Sequence, residues 1–208
     1  MGSMILTGYM QGQYAQDKPL SLSFSIGFEQ TYSEIDDDNA SSTELYSLIS
    51  ALSGILPNQG IAVTRSVNQA GDVQAIGGGT YKIERFYDVC NASGLTGSQG
   101  VMVLKDNLKS LMMEDEVVQP AKSGNFHIYT VATIDEGLDV LTGVAAGERH
   151  EDGSFPACTV YHAVESQLAE FRKKARDHAG FDDDASVDED EKSDDNDAFE
   201  EPEGSTEG

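Results

Sequence analysis

Apolar and polar residues alternate most strictly in Leu20-Ser21-Leu22-Ser23-Phe24-Ser25-Ile26-Gly27-Phe28. A period of two over that length predicts a half-buried β-strand. Just before it, Gly8-Tyr9-Met10-Gln11-Gly12-Gln13-Tyr14 reads as a shorter strand or an approach loop. The period then changes. Leu45, Leu48, Ile49 and Leu52 recur at helical spacing and predict a helix over roughly residues 40–53, stopped by Gly54 with Pro57 beyond it. Residues 61–64 and 73–76 read as two strands, and the turn-forming residues 68–72 between them predict a hairpin.

Gly77-Gly78-Gly79 releases the chain into a second helix, with Ile83, Phe86, Tyr87 and Cys90 at helical spacing. Val101-Met102-Val103-Leu104 is a continuous apolar run, as expected of a strand buried on both faces. A short helix carrying Leu108, Leu111 and Met112, a further turn over 117–122 and a strand over 126–131 follow. Thr133-Ile134-Asp135-Glu136 has the capping-box pattern and opens a helix that ends at Gly143. Val160, Val164, Leu168 and Phe171 mark a last amphipathic helix, whose basic C-terminal residues Arg172, Lys173, Lys174 and Arg176 complement its dipole. Strands alternating with helices in this order predict an α/β domain with a mixed, partly parallel sheet.

Charge adds a boundary. Residues 181–208 hold fourteen Asp or Glu against Lys192 alone, more than half of the formal charge of −24. So acidic and apolar-poor a stretch is expected to stay disordered. The chain therefore divides into a remnant over 1–3 (Met1-Gly2-Ser3 ahead of Met4), a domain over 4–176 and an acidic tail over 177–208. The acidity argues against nucleic acid or an anionic membrane as partner, since both select clustered Lys and Arg. No apolar run approaches the ~18–20 residues that span a bilayer, so a soluble, cytoplasmic protein is expected. Cys90 and Cys158 are read as buried free thiols. His127 is read as a packed strand residue, and His150 and His162 lack partners at ligand spacing, so no metal is expected.

The candidate chemistry lies in two stretches. Asp36-Asp37-Asp38-Asn39-Ala40-Ser41-Ser42-Thr43-Glu44 runs straight into the first long helix, where backbone N–H groups and the dipole favour a developing oxyanion. Ile76-Gly77-Gly78-Gly79-Thr80-Tyr81-Lys82 places Lys82 in the first turn of the next helix, where the dipole disfavours a cation, a setting that suits a general base. Serine hydroxyls at one helix start and a lysine at another are the parts of a Ser-Lys hydrolase. Ser41-Ser42-Thr43-Glu44 also matches a capping box, and that role accounts for these serines without catalysis.

Together these stretches resemble the proteolytic domain of Lon-type ATP-dependent serine proteases, the LonB-like branch in particular. The resemblance extends through Tyr14–Ser21, Leu45–Gly54, Ser66–Gln69, Phe86–Cys90, Gly94–Gly97 and Leu141–Val144, and covers roughly residues 8–175. It implies the Lon proteolytic-domain fold, a polypeptide substrate and a homo-oligomer, a six-membered ring. It also implies a serine nucleophile at the helix start with a lysine base. By position the base is Lys82 and the nucleophile position is Asn39, with Asp36 opening the turn. Asn39 has no hydroxyl, and a neutral amide is no usable nucleophile. Ser42, three residues on, is the substitute the helix period offers. Asp37, Tyr81 and Arg65 also depart from the family pattern, which usually has glycine, glutamate and a small residue at those places. No cofactor is implied for this chain: ATP would act only through an ATPase module, and no Gly-Lys-Ser or Gly-Lys-Thr phosphate loop occurs. The expectation is an impaired or inactive endopeptidase domain; the alternative is a non-catalytic Lon-like assembly or substrate-binding module.

Overall fold

A computed structural model describes residues 2–16, 19–27, 37–63, 66–68, 70–71, 73–74 and 79–179. The elements are α1 (Gly2–Tyr14), α2 (Asp37–Ser53), β1 (Ile61–Val63), β2 (Ser66–Val67), β3 (Val73–Gln74), α3 (Gly79–Ser93) and β4 (Gly100–Leu104). A 3-10 turn (Lys105–Ser110), α4 (Asp115–Lys122), β5 (His127–Val131), α5 (Ile134–Thr142) and α6 (Val160–His178) complete them.

β1, β4 and β5 form a parallel sheet in the order β1-β4-β5, with Ile61 opposite Gly100 and Gly100 opposite His127. Every residue of β4 is buried, as its unbroken apolar run requires of a central strand. Alternate side chains serve two cores. Met102 and Leu104 join α1, α2, α5 and α6 on one face of the sheet, while Val101 and Val103 join α3 and α4 on the other. The result is a three-layer α/β arrangement, in agreement with the mixed α/β class read from the sequence.

Local chemistry sets the element ends. The Thr133 hydroxyl accepts from the Glu136 N–H at the start of α5, and the Glu136 carboxylate accepts from the Ala132 N–H. Gly143 closes the same helix at φ 69°, a left-handed conformation open to glycine at little steric cost. Thr159 caps α6 in the same manner, accepting from the His162 N–H.

Four expectations are corrected. Residues 8–14 are neither strand nor loop but the second half of α1, whose Leu6, Tyr9, Met10 and Tyr14 are buried at helical spacing. Burial of that face against α2 outweighs the helix cost of Gly8 and Gly12. Residues 19–27 form no strand among the described residues, although Leu20, Leu22 and Phe24 do alternate inward onto the core. The alternation thus survives in packing without a hydrogen-bonded ladder. The hairpin exists, but its first arm is β2, paired antiparallel to β3 with Val67 opposite Val73; β1 belongs to the parallel sheet. Cys158 is exposed at φ 65°, against the expectation of a buried thiol, whereas Cys90 is buried and its thiol pKa is pushed up by that burial.

Candidate functional site

Parallel topology brings the first turns of α2 and α3 to one end of the molecule. α3 ends at Ser93 and a short loop leads to Gly100, the amino end of β4, so its first turn lies at the carboxyl end of the sheet. α2 likewise feeds β1 through the short connection 54–60, and the Asn58 N–H donates to the Leu141 carbonyl at the close of α5, 2.7 Å away. Its first turn therefore also lies at the carboxyl end, the place where open α/β sheets bind ligands. Asn39 stands in that first turn of α2, and Lys82 in the first turn of α3. The two helices cover opposite faces of the sheet, so these positions can approach each other only past its carboxyl edge.

Lys82 is half-buried, and its side chain makes no hydrogen bond or ion pair with another described residue. Tyr81 beside it is 61% exposed and lies under the Arg85 guanidinium, 5.0 Å from the ring centroid. Arg85 in turn pairs with Asp88 at 3.1 Å. Asp36, Arg65 and the side chains of Asp37 and Asn39 lie outside the described residues. Ser41 and Ser42 are turned inward, with 0% and 1% of their surface exposed. Their inward direction follows the helix period: Leu45, Tyr46 and Ile49, three to eight residues on, are core positions.

A groove of about 220 Å³ lies between α2 and β1. Thr43, Tyr46 and Ser47 of α2 form one wall, Ile61 and Val63 of β1 the other, and residues 57–59 and Leu141 the far end. Thr43 is one helical turn past Asn39, so the groove begins close to the first turn of α2. No lining side chain bears a charge. Much of its polar lining is already engaged: Ser47 donates to the Thr43 carbonyl at 2.8 Å, and Asn58 Oδ1 accepts from the Gly60 N–H at 2.9 Å. Sequence reading missed this groove, since its walls come from segments whose meeting depends on the parallel pairing of β1.

His127 is half-buried at the other end of β5. Its Nε2 lies 2.8 Å from the Gly97 carbonyl oxygen, and its ring packs on Tyr129. Among the described residues no group of three or more His, Cys, Asp or Glu is gathered as a metal site would need. No described helix is long and apolar enough to cross a membrane.

Asn39 at the start of one helix and Lys82 at the start of another thus stand on a three-layer α/β scaffold. The chain is 39% identical over 140 residues to a Lon protease homolog of Escherichia coli K12 and 38% identical over 142 residues to one of Haemophilus influenzae. These alignments cover 67% and 68% of this chain. It is also 35% identical over 115 residues, 55% of its length, to the archaeal Lon protease of Thermococcus kodakarensis. These similarities support a Lon-type protease domain. The chain spans about a quarter of the length of the first two relatives, 24% of each. No protein-family profile matches it.

Proposed function

We propose that this chain is a Lon-type endopeptidase domain of the LonB-like branch whose cleavage chemistry is disabled at Asn39. The observation that carries the reading is the content of the first turns of α2. Asparagine occupies the nucleophile position, and the two serines that follow are buried in the core. With serine at position 39, the Lys82 amine would take the hydroxyl proton as the oxygen attacks a peptide carbonyl, and the free N–H groups of α2 would hold the oxyanion. With asparagine, the oxyanion donors and the amine remain but the attacking oxygen does not. Ser42 is a poor substitute, because its hydroxyl faces the interior rather than the carboxyl end of the sheet.

The uncharged groove favours the reading in which the domain binds polypeptide without cutting it, alone or as part of a homo-oligomeric ring. An acidic chain with an uncharged groove would admit neutral extended segments without repelling them. Turnover of a fluorogenic peptide by the parent chain, by Asn39→Ser and by Asn39→Ser with Lys82→Ala decides the matter. The parent should be silent, the single variant active and the double variant silent again. Parent turnover that survives Lys82→Ala would refute the dyad assignment, and parent turnover abolished by Ser42→Ala would move the nucleophile to Ser42.

A further inference from the structure

Along the chain, the β2–β3 hairpin stands between the two halves of the candidate site. β2 packs on α2, and Lys82 follows the end of β3 by eight residues. The hairpin tip is gripped from two sides at Gly71. Its carbonyl accepts from the Ile134 N–H at 3.2 Å, one of the first-turn donors of α5 that has no partner within the helix. Its other side faces the Tyr9 ring of α1 so closely that a Cβ would fall 2.8 Å from Tyr9 Cε2. Gly71 also has φ +87°, so glycine meets both demands at once.

Tyr9 is itself fixed. Its hydroxyl lies 2.6 Å from that of Tyr161 on α6, and Tyr161 donates to the Asp135 carboxylate, the residue after Ile134. An ionised carboxylate only accepts, so Tyr161 commits its one proton to Asp135 and Tyr9 must donate to Tyr161. The contacts therefore close on themselves: Gly71, Ile134, Asp135, Tyr161, Tyr9 and back to Gly71. We infer that Tyr9 is a positioning residue for the candidate site, a buried strut that sets the hairpin and, through it, the first turn of α3 against α2. The inference rests on the proposed Lon-type site, but its hydroxyl chain takes no part in the chemistry.

The test uses the full chain with Tyr161→Phe, which keeps the ring and removes the relay. Tyr9→Phe serves as a second variant should the first fail to fold, and Tyr129→Phe on β5, outside both groove and relay, as a control. Hydrogen exchange is followed by mass spectrometry, together with the rate at which acetic anhydride acylates Lys82 relative to Lys122. Peptides covering the hairpin should exchange about tenfold faster in the relay variants while β4 keeps its protection. The Lys82-to-Lys122 acylation ratio should change in the same variants and stay at the parent value in Tyr129→Phe. Unaltered hairpin exchange, or equal loosening of hairpin and β4, would overturn the inference, the second result meaning a general loss of stability. Neither readout needs turnover, so a silent enzyme leaves this test intact.

Discussion

Tyr46 and Gly137 meet so closely that a methyl group on the glycine would fall 1.8 Å from the tyrosine hydroxyl and 2.6 Å from its ring carbon Cζ. Both residues are in helices and buried, so neither can swing aside. Gly137→Ala should cost about 1–3 kcal/mol through overpacking, read from urea midpoints. This is where residue-level reading of the sequence runs short. Asn39 and Lys82 could be picked out because each sits beside a local helix-start signal. Glycine at position 137 carries no such signal, since its reason is a tyrosine on another helix. The Tyr9–Tyr161–Asp135 chain was invisible for the same cause, its members being brought together only by the packing of α1, α5 and α6. A helical count through Leu6, Tyr9 and Met10 was the one clue available, and the glycines at 8 and 12 masked it.

At the scale of elements, legibility follows locality. β4, α3, α5 and α6 were readable because each carries its own period together with a cap, a glycine stop or an unbroken apolar run. β1 was readable as a strand but not as a partner, because its ladder is with a segment almost forty residues away rather than with the neighbouring hairpin. The α5 cap offers a direct check. Thr133→Ala removes the acceptor for the Glu136 N–H and should cost about 1 kcal/mol, whereas Thr133→Ser should cost much less. Equal losses for the two variants in chemical denaturation would show that the hydroxyl is not the cap. The same variants bear on the proposed strut, since Ile134 and Asp135 are the first residues that this cap orders.

For the whole molecule, acidity acts through particular groups as well as through total charge. Burial raises the Asp135 pKa, opposed by the hydrogen bond from Tyr161 and reinforced by Asp139, Glu148 and Glu136. A carboxyl with a raised folded-state pKa binds its proton more tightly folded than unfolded. Its favourable contribution is therefore complete below the ordinary carboxylate value of 3.8 and fades as pH rises through the folded value. Asp135→Asn, which cannot ionise, should flatten that part of the stability curve and so gain stability relative to the parent between about pH 4 and about pH 7. A parallel offset across the range would sink the assignment. Tyr9, pushed up to about 12 mainly by burial, should remain un-ionised throughout that range.

One surface feature supplies a practical handle. Cys158 is open to solvent just ahead of α6, while Cys90 lies inside the layer formed by α3. A maleimide dye added to the native chain should attach once, at Cys158, and a second time only after denaturation, as intact-mass measurement would record. Energy transfer between separately dyed pools would then report subunit association without any engineered residue.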